Sequence, residues 1–580
     1  MFLLSPPPHL PPRFQYALLS LILAYRASTL SSNLLTDCDE VYNYYEPLHF
    51  TLYGYGLQTW EYAEEYALRT YAFLMPAAAV VKTTTAILTP LINLNLLPPH
   101  LLSKPSLFNV LRLFLSWSCG YSEYRFILSI YNHLSPQVSL LTFLFLTPSA
   151  GMFHAAPAFL PSSVALTLTM LSTSLHIDGD YIEAIFFGML SVVGLGWPFV
   201  AVLYIPLGLH SLHASYTNPH ASTLSHRLLA STLTLFIAIF LLTSLSFIVF
   251  LVDNVYYEKA TIPSLNIFLY NAVGSTPGEE ETGKSTGDEL YGVEPFSYYL
   301  KNLALNFNLI AVLSLLYPFT KAIKYLTQTK KPSKGPPLDL IIIAPLFLWA
   351  LIVFPRPHKE ERFLFPIYHL IAFSAAVSLN DATTFLKQTL KLPPQITKLL
   401  LLSTLAATTL LSRSRINALS SHYSAPLKLY TKLHSQILSN SIPNQSVCVT
   451  GEWHRFVSHF FLPLNSRLQF VESGFTGQLP QHFTSGGSAV KAPQKFNAVN
   501  GEENERYVDI SSCDYFVDLT LPSSSTPKLL QTDSREGAWT MVEHEIYLDA
   551  ERTAGLSRVI QIPGVVDGGV YEKYAFYEFH

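Results

Sequence analysis

The chain has 580 residues, of which 49% are hydrophobic and 13% are charged. An average soluble domain has about 25% charged residues, so the composition excludes an ordinary soluble enzyme and indicates a polytopic α-helical membrane protein. The 36 Lys and Arg residues against 40 Asp and Glu residues give a net charge of −4, which leaves no basic excess for binding nucleic acid. Four cysteines are too few for a disulfide-built scaffold.

Apolar runs of membrane-spanning length fill most of the first 412 residues. A helix needs about 20 apolar residues to cross a hydrocarbon core of about 30 Å, and most of these runs approach or exceed that length. They predict about eleven transmembrane helices. The runs lie at residues 15–33, 71–97, 106–119, 124–147, 153–175, 183–213, 228–252, 301–327, 338–355, 363–385 and 396–412.

Loop charges predict how these helices are oriented. The short loops 328–337 and 387–394 are basic, which is typical of the cytosolic side of a membrane. Counting helices outward from these two loops places several segments on the opposite, non-cytosolic side. These segments are the loops 34–70, 254–299 and 355–362 and the residues after 412.

The composition changes near residue 413. Residues 427–441 have the apolar periodicity of a helix, and short runs rich in β-branched and aromatic residues follow it. These runs predict strands at 446–450, 467–472, 513–519 and 540–548. We therefore divide the chain into a multi-span membrane domain, residues 1–412, and a small α/β domain outside the membrane, residues 413–580.

Two patterns that would suggest a nucleotide or metal site are rejected. Residues 278–285 satisfy the G-x-x-x-x-G-K-S pattern of a phosphate-binding loop, but no buried strand precedes them and three glutamates inside the pattern would repel phosphate. His210 and His213, like His454 and His459, are close in sequence, but no nearby cysteine or carboxylate completes a set of metal ligands. The sequence therefore predicts neither a bound nucleotide nor a bound metal.

The loop after the first predicted helix concentrates acidic and aromatic residues. Asp37, Asp39 and Glu40 place three carboxylates within four residues, ahead of several tyrosines and Trp60. Sugar-transferring sites use a carboxylate to accept a hydroxyl proton and aromatic rings to stack on the sugar. A helix capped by Asp, with aromatic residues at the membrane interface, would have the same composition. Both interpretations stay open on composition alone.

A second loop places five ionisable residues in a row between two apolar runs. His358, Lys359 and Arg362 offer donors that suit a phosphate, with Glu360 and Glu361 among them. The alternative is a cationic cap on the cytosolic end of a helix. The predicted non-cytosolic position of the loop and its two glutamates favour a functional site.

Both loops resemble those of the dolichyl-phosphate-mannose-using mannosyltransferases of the endoplasmic reticulum. The run HKEERF at 358–363 is similar to the signature loop of that family, and Asp39-Glu40 followed by Glu46-Pro47 is similar to its acidic first loop. Longer stretches resemble the branch that acts as an α-1,2-mannosyltransferase in asparagine-linked glycosylation. These stretches lie at 37–50, 56–73, 448–456 and 507–519.

The resemblance implies a GT-C type glycosyltransferase in the endoplasmic reticulum membrane, with the active site and the 413–580 domain on the lumenal side. The implied reaction is an inverting transfer of mannose from dolichyl-phosphate-mannose onto the dolichyl-pyrophosphate-linked N-glycan precursor, as its seventh and ninth mannoses. The implied partners are the lipid-linked donor, the lipid-linked acceptor and the membrane, with no cofactor. Tyr45 departs from the branch, which usually has Trp at this position, and this change affects stacking rather than the implied chemistry.

The resemblance also implies roles for individual residues. Asp39 is the expected general base, with Asp37 and Glu40 as alternatives that spacing does not separate. The expected ligands of the donor phosphate are His358, Lys359 and Arg362. The candidate contacts to the acceptor or sugar are Tyr44, Glu46, Trp60, Glu61, Trp453, His454 and Arg455.

Two further expectations concern the 413–580 domain. Asn444-Gln445-Ser446 is the only N-x-S/T sequon in the sequence with a permitted middle residue, so Asn444 is the expected glycosylation site if this domain is lumenal. Cys448 and Cys513 start two predicted strands, and they form either a disulfide or two buried thiols.

Two other functions are weighed against this one. A lipid or sugar transporter would be expected to show repeated halves and ionisable groups at membrane depth, whereas the ionisable clusters here lie in loops and the halves are not alike. A sister mannosyltransferase of glycosylphosphatidylinositol assembly would share both loop motifs. The stretches at 448–456 and 507–519 favour the N-glycan branch over that sister enzyme.

Overall fold

The structure is a computed structural model that describes residues 10–32, 34–217, 223–273, 292–327, 337–440, 444–484, 496–497, 499–520, 530, 539–566 and 568–579. The rejected phosphate-loop pattern at 278–285 lies outside these residues. The described chain forms two compact units. The first unit comprises Met1–Thr29, Leu115–Leu251 and Tyr291–Arg415, and the second comprises Leu30–Phe114, Val252–Leu290 and Ile416–His580.

Helices dominate the described part of the chain, and a π-helical turn, Val41–Tyr45, joins the second to the third. Numbered in chain order, the α-helices are α1 (Pro12–Ser28), α2 (Cys38–Glu40), α3 (Glu46–Tyr53), α4 (Met75–Asn93), α5 (Lys104–His133), α6 (Pro136–Leu146), α7 (Ala150–Ala155), α8 (Pro161–Asp178), α9 (Tyr181–Gly194), α10 (Ala201–Tyr216), α11 (Leu224–Tyr257), α12 (Pro263–Val273), α13 (Ser297–Leu315), α14 (Tyr317–Thr327), α15 (Leu338–Val353), α16 (Tyr368–Gln388), α17 (Pro394–His422) and α18 (Ala425–Asn440).

Several helical stretches within the described residues are long and apolar enough to cross a membrane, which confirms a multi-pass membrane protein. The long stretches are Tyr71–Asn93, Pro198–Tyr216, Leu224–Tyr257, Ser297–Thr327, Glu361–Gln388 and Pro394–Asn440. Helices α6, α9 and α15 are apolar but shorter. The predicted loop 254–299 contains a helix of its own, α12.

Several predicted helix boundaries are wrong, and two of them have a clear physical reason. The predicted gap between 119 and 124 lies inside the continuous helix α5, because Glu123 in this gap is fully buried and paired with Arg26 of α1. Conversely, the predicted run 183–213 is two helices, α9 and α10. The chain breaks between them at Gly196, which has a φ of 63°, and at Pro198, which has no N–H to continue a helix.

Helix α13 of the first unit is kinked at Asn308, whose φ is 42° and ψ is −123°. Its side-chain amide donates hydrogen bonds to the Thr408 carbonyl oxygen (3.3 Å) and the Ser412 hydroxyl (3.0 Å) of α17. Its side-chain oxygen accepts the Leu309 N–H at 2.7 Å. The last of these bonds gives the Leu309 N–H at the kink a side-chain acceptor, and the first two tie the kink to α17.

The second unit contains a five-stranded mixed sheet in the order β3-β2-β5-β7-β6. Its strands are β2 (Ser446–Val449), β3 (Arg467–Phe470), β5 (Tyr515–Thr520), β6 (Trp539–Leu548) and β7 (Tyr571–Phe579). Strand β2 runs parallel to both neighbours, and β7 pairs antiparallel with β5 and β6. The four predicted strands are confirmed to within two residues at each end, whereas β7 was missed.

Two links tie the sheet together and to the first loop. Cys448 of β2 and Cys513, just before β5, form a disulfide with their Cα atoms 5.8 Å apart, which decides between the two alternatives left by the sequence. A separate short ladder pairs β1 (Leu57–Gln58) of the first loop with β4 (Gln481–His482). Residues 416–580 therefore share one compact unit with the loop that carries the acidic residues.

Candidate active site

The acidic residues lie at the start of a helical segment in the second unit. Asp37 caps helix α2, and its Oδ1 accepts the Asp39 backbone N–H at 3.0 Å. The chain then passes through the π-helical turn Val41–Tyr45 into α3, which has Pro47 in its first turn. Such turns add one residue to a helix and are frequent at functional sites. The structure confirms the capped helix, and the catalytic interpretation of the same residues stays a prediction.

The three carboxylates differ in accessibility. Asp37 and Asp39 are half-buried, whereas Glu40 is only 3% exposed. Burial, together with the negative charge of Glu40, raises the pKa of the Tyr45 hydroxyl well above its usual value. Asp37, Cys38 and Asp39 also hold ligand atoms within 4.8 Å of one another, a spacing that a metal ion accepts. The expectation that the site uses no metal stays a prediction.

Arg69 brings two of the predicted sugar contacts together. Its guanidinium donates to the Tyr44 hydroxyl at 2.9 Å and to Glu61 Oε1 at 2.7 Å. Burial lowers the pKa of Arg69, but Glu61 and Tyr44 outweigh it and raise that pKa, with a smaller contribution from Asp39. Arg69, which sequence reasoning did not select, thus organises the polar groups beside the acidic segment.

Trp60 lies in the same loop but packs against aromatic neighbours. Its ring meets Tyr66 and Tyr270 edge to face, with centroids 5.0 and 5.4 Å away. The ring remains partly exposed, so one part of its surface is open to a ligand. Its predicted role in stacking on a sugar stays a prediction.

Glu46, another predicted sugar contact, lies inside the protein. Its side chain is fully buried, and each carboxylate oxygen accepts two hydrogen bonds from within the protein. Burial alone would raise the pKa of Glu46, but the imidazole of His459 and the donated hydrogen bonds lower it to about 2. The Glu46 carboxylate is therefore held inside the protein, and its predicted contact to the acceptor or sugar stays a prediction.

The stretch 451–455 forms a 3-10 turn in the second unit. The Trp453 carbonyl oxygen accepts the Tyr42 hydroxyl at 2.6 Å, and the indole packs on Phe475 at 4.8 Å. His454 is exposed. Arg455 is paired with Glu452 and lies over the Tyr547 ring, 4.6 Å from its centroid. Of these predicted acceptor contacts, His454 is the one presented outward and Arg455 is engaged within the domain.

In the first unit, Glu360 holds two of the predicted phosphate ligands. Its Oε1 lies 3.1 Å from His358 Nε2 and its Oε2 lies 2.5 Å from Arg362 Nη2. The side chains of His358 and Arg362 keep 20% and 13% of their surface exposed. The carboxylate thus fixes both donors on one face of the loop while part of each remains accessible.

Lys359 of the same loop points inward. It is 6% exposed, and its ammonium donates to the carbonyl oxygens of Glu294 (2.7 Å) and Arg356. The Pro357 carbonyl oxygen accepts from the backbone N–H of Glu294 at 3.0 Å, which closes the turn. The Lys359 ammonium therefore shapes the loop in this structure, and its predicted contact to the donor phosphate stays a prediction.

Sequence reasoning missed a polar cluster behind this loop. Glu361 Oε1 accepts the Asn306 side-chain N–H at 2.7 Å and lies 2.8 Å from Nε2 of His154. The same Asn306 amide donates to the Tyr368 hydroxyl at 3.1 Å. Polar side chains within apolar helices were the available signal, because such residues usually face a partner or a functional cavity.

Asn444, the predicted glycosylation site, is exposed at the start of the sheet. It has a φ of 63°, a left-handed conformation that Asn tolerates better than most residues. The following strand is fixed by a hydrogen bond from the Ser446 N–H to Asp514 Oδ2 at 2.7 Å. The acceptor amide is therefore reachable from solvent.

The sequence model of the Alg9-like mannosyltransferase family matches residues 17–463, more than three quarters of the chain. The chain belongs to this family. The resemblance of the two loops is thereby confirmed, and the protein is a membrane glycosyltransferase.

Relatives of this Alg9-like protein are similar over almost their whole length. The α-1,2-mannosyltransferase ALG9 of Mus musculus is 36% identical over 570 residues, covering 96% of this chain and 87% of the relative. The human ALG9 is 35% identical with the same coverages. The Saccharomyces cerevisiae ALG9 is 32% identical, covering 94% of this chain and 91% of the relative.

The fold of the Alg9-like protein is that of GT-C glycosyltransferases, as the sequence predicted. The crystal structure of ArnT from Cupriavidus metallidurans bound to undecaprenyl phosphate superposes with a TM-score of 0.52. The similarity covers 98% of each chain at 11% sequence identity, so it concerns the fold alone. The C-terminal sheet described above completes the predicted architecture.

Proposed function

We propose that the protein transfers mannose from dolichyl-phosphate-mannose in α-1,2 linkage onto the dolichyl-pyrophosphate-linked N-glycan precursor, adding its seventh and ninth mannoses. Membership of the Alg9-like family and relatives named α-1,2-mannosyltransferase support this choice of reaction. The structural observation that carries it is the half-buried pair Asp37 and Asp39 at the start of a helix, beside Arg69 and its polar partners.

The acidic segment supplies the base of the proposed reaction. Asp39 accepts the proton of the acceptor 2-hydroxyl while that oxygen attacks C1 of the donor mannose. The new C1–O bond forms as the bond from C1 to the phosphate oxygen breaks, and the phosphate leaves with the electron pair. One displacement inverts a β-mannosyl phosphate to an α-linked product, so a single base suffices and no covalent enzyme intermediate forms.

The loop 355–362 supplies the contacts to the leaving phosphate. Developing negative charge on a phosphate is stabilised by positioned cations and hydrogen-bond donors. His358 and Arg362, which Glu360 holds on one face, are the donors proposed for this role. Arg362 offers a planar set of N–H groups that suits phosphate oxygens. The reaction written in this way uses no cofactor.

We place the enzyme in the endoplasmic reticulum membrane with its active site on the lumenal side. The basic loops 328–337 and 387–394 support a cytosolic position for themselves and hence a lumenal position for the loops 34–70 and 355–362. The apolar helices of spanning length support a multi-pass arrangement.

The deciding experiment is an in vitro assay of the purified full-length protein with dolichyl-phosphate-mannose. Lipid-linked acceptors carrying six or eight mannoses are expected to gain one α-1,2-linked mannose each, measured by mass spectrometry and by digestion with a linkage-specific mannosidase. An acceptor of the glycosylphosphatidylinositol pathway serves as the control and is expected to stay unmodified. Transfer to that control alone, or to neither class, would reject the proposal.

A further inference from the structure

The buried carboxylate of Glu46 joins the acidic segment to a distant part of the second unit. Oε1 accepts hydrogen bonds from the Ser458 hydroxyl (2.8 Å) and the His459 backbone N–H (2.7 Å). Oε2 accepts from His459 Nδ1 (2.6 Å) and from the Leu57 backbone N–H (2.9 Å). Three of these four donors come from residues 458–459, more than 400 positions along the chain.

The tautomer of His459 follows from its two hydrogen bonds. The backbone N–H of Leu468 lies 3.3 Å from Nε2, and a backbone N–H only donates, so Nε2 carries the lone pair. The ring hydrogen therefore resides on Nδ1 and is donated to Glu46. A neutral, oriented imidazole thus holds a charged carboxylate in a fully buried site.

The backbone at Ser458 is strained to make this contact. Its φ of 122° and ψ of 155° lie in a region that residues other than glycine rarely adopt. The Ser458 hydroxyl donates to Glu46 and accepts the Phe460 N–H at 3.3 Å, so the side chain stabilises the unusual turn. Strain of this kind persists only where surrounding contacts require one geometry.

The backbone at Gly56 also packs closely against Glu46. A Cβ at Gly56 would lie 2.7 Å from the Glu46 carbonyl oxygen, so only glycine fits there. One turn along α3, His49 Nδ1 donates to the Tyr55 carbonyl oxygen at 2.7 Å and its Nε2 accepts from Lys104 at 3.2 Å. The inner face of α3 is therefore fixed at two successive turns.

These contacts act on the carboxylates through a continuous stretch of helix. The residues 38–53 run without interruption from α2 through the π-helical turn into α3. Glu46 is the first residue of α3, and Asp39 lies seven residues earlier. A change in the position of Glu46 therefore shifts or rotates the segment that holds Asp37, Asp39 and Glu40.

We propose that His459 and Ser458 are positioning residues of the enzyme, which set the placement of the acidic segment 37–40 through the Glu46 carboxylate. The proposal rests on the proposed function as far as catalysis is concerned. The structural part of the proposal is that the contact of Ser458 and His459 with Glu46 controls the geometry of the segment 37–40. This part does not depend on which sugar is transferred.

Two amide substitutions separate the bonds of His459. In His459→Asn the side-chain N–H₂ takes the place of Nδ1–H, so the bond to Glu46 is kept and the acceptor for Leu468 is lost. In His459→Gln the longer amide reaches the place of Nε2, so the acceptor for Leu468 is kept and the donor to Glu46 is lost. Neither amide titrates, and both variants are prepared as full-length protein.

The kinetic readout is kcat and KM with dolichyl-phosphate-mannose and a lipid-linked acceptor. A displacement of about 1 Å in a catalytic group costs up to about 100-fold in rate. His459→Gln is expected to lose kcat on this scale with KM for both substrates within about twofold, since only reacting geometry changes. His459→Asn is expected to retain most of the wild-type kcat. Equal kcat in the two variants would overturn the proposal.

A second readout needs no substrate. Cys38 adjoins Asp39, while Cys119 is buried and Cys448 and Cys513 are bridged, so maleimide labels Cys38 first. Its labelling rate is expected to rise several-fold in His459→Gln and to stay unchanged in His459→Asn. Unchanged labelling in His459→Gln, with the disulfide and melting temperature intact, would overturn the proposal. Inactive wild-type protein that still shows the labelling difference would reject the proposed function instead.

Discussion

At the scale of single residues, exposure sets Glu40 apart from Asp37 and Asp39, which spacing could not do. A general base has to reach the substrate hydroxyl within hydrogen-bond distance, and the buried Glu40 presents almost no surface for that contact. One carboxylate oxygen of Asp37 accepts the Asp39 N–H and caps helix α2. Asp37 and Asp39 are both half-buried, and Asp39 remains the proposed base.

Replacing Asp39 by Asn is expected to abolish most mannosyl transfer without loss of folded protein. The amide keeps the shape of the side chain but cannot accept a proton, and loss of a general base costs about 10²–10⁴-fold in rate. Turnover of Asp39→Asn, Asp37→Asn and Glu40→Gln is measured side by side at equal amounts of folded enzyme. Near wild-type turnover in Asp39→Asn with a dead Asp37→Asn would transfer the role to Asp37.

Arg362 is expected to act in the use of the donor. Losing a hydrogen bond to a charged group costs about 1.5–3 kcal/mol, which predicts a rise of about 10–100-fold in the donor KM for both Arg362→Lys and Arg362→Ala. Lysine keeps the charge but lacks the planar set of N–H groups. Lys387→Ala, at an exposed lysine of the same unit, is the control and should leave KM unchanged. A wild-type KM in Arg362→Ala would remove this residue from the site.

The sequence showed which residue types carry chemistry but not which of them face inward. The acidic run 37–40 and the run HKEERF were recognisable because their residues are adjacent. The internal roles of Glu46 and Lys359 depend on partners far along the chain or on backbone carbonyl oxygens, and neither leaves a local pattern. For the same reason, Arg69 and the cluster around Glu361 were found only in the structure.

At the scale of helices, a buried ion pair joins α1 and α5 of the first unit. Arg26 and Glu123 are both fully buried, and the guanidinium approaches Glu123 Oε2 to 2.8–2.9 Å. Glu123 Oε1 accepts the Thr147 hydroxyl at 2.5 Å. Gly120 lets the helices approach, since a Cβ there would lie 3.2 Å from the Arg26 side chain.

Breaking this ion pair from one side is expected to destabilise the protein more than removing both charges. A lone buried charge costs about 3–5 kcal/mol, whereas apolar replacement of a whole pair is often neutral. Arg26→Met and Glu123→Met should each lower the yield of monodisperse protein and its melting temperature, and the double variant should recover most of both. A double variant no better than the singles would show that the charges act separately.

Helix positions were predictable from hydropathy, and helix breaks were not. Glu123 made the middle of α5 look like a loop, although this residue is paired with Arg26 of the neighbouring helix α1. Between α9 and α10, the apolar run hid a break at Gly196 and Pro198. Mean hydropathy over a window does not detect either feature. Whether a helix continues or breaks at these positions depends on side-chain pairing in α5 and on backbone conformation between α9 and α10.

Asp518 of strand β5 gives the C-terminal sheet a defined pH dependence. Burial, followed by the nearby charge of Glu452, raises the pKa of Asp518 to about 7. An acid whose pKa is higher when folded binds more protons in the folded state. Its contribution to stability therefore falls as the pH rises from the unfolded value of about 3.9 to about 7.

Asp518→Asn is accordingly expected to raise the melting temperature at pH 7.5 and to change it less at pH 5. For a domain of this size, 1 kcal/mol corresponds to about 2–4 °C. Thermal unfolding of both proteins at the two pH values measures the difference. An equal shift at both pH values would show that ionisation of Asp518 is not its cause.

At the scale of the whole molecule, the proposed topology makes residues after 412 lumenal. Asn444 is then expected to carry a glycan that an endoglycosidase removes. The glycan should vanish in Ser446→Ala, which removes the sequon without placing a new side chain at the left-handed Asn444 position. Asn504→Gln, at an exposed Asn outside any sequon, is the control and should leave the glycan in place.

Protease protection tests the same topology without relying on glycosylation. In sealed microsomes, a protease added from outside should leave residues 413–580 intact, detected with an antibody to this domain. Digestion of the domain would place it in the cytosol. It would also reverse the predicted side of the loop 355–362, which the helix count places with the domain.

The strands of the C-terminal sheet were predicted well, but its setting was not. Four strands follow from β-branched and aromatic runs, while β7 (YEKYAFYEF) was missed although its aromatic content is typical of a strand. The second unit is assembled from three separated stretches of chain. A change in composition marks only where one region of the sequence ends and the next begins. It therefore could not predict that residues 416–580 share a unit with residues 30–114.

The contact between Glu46 and His459 also sets an order of events in biosynthesis. A ribosome adds about 5–20 residues per second, so roughly 20–80 s separate the synthesis of Glu46 from that of His459. Until then it is a charged group without the donors that hold it in the finished protein. If Ser458 and His459 position the acidic segment as proposed, a chain interrupted after its membrane helices is expected to lack these donors to Glu46. The proposed site is then expected to form only after residue 459 has been synthesised.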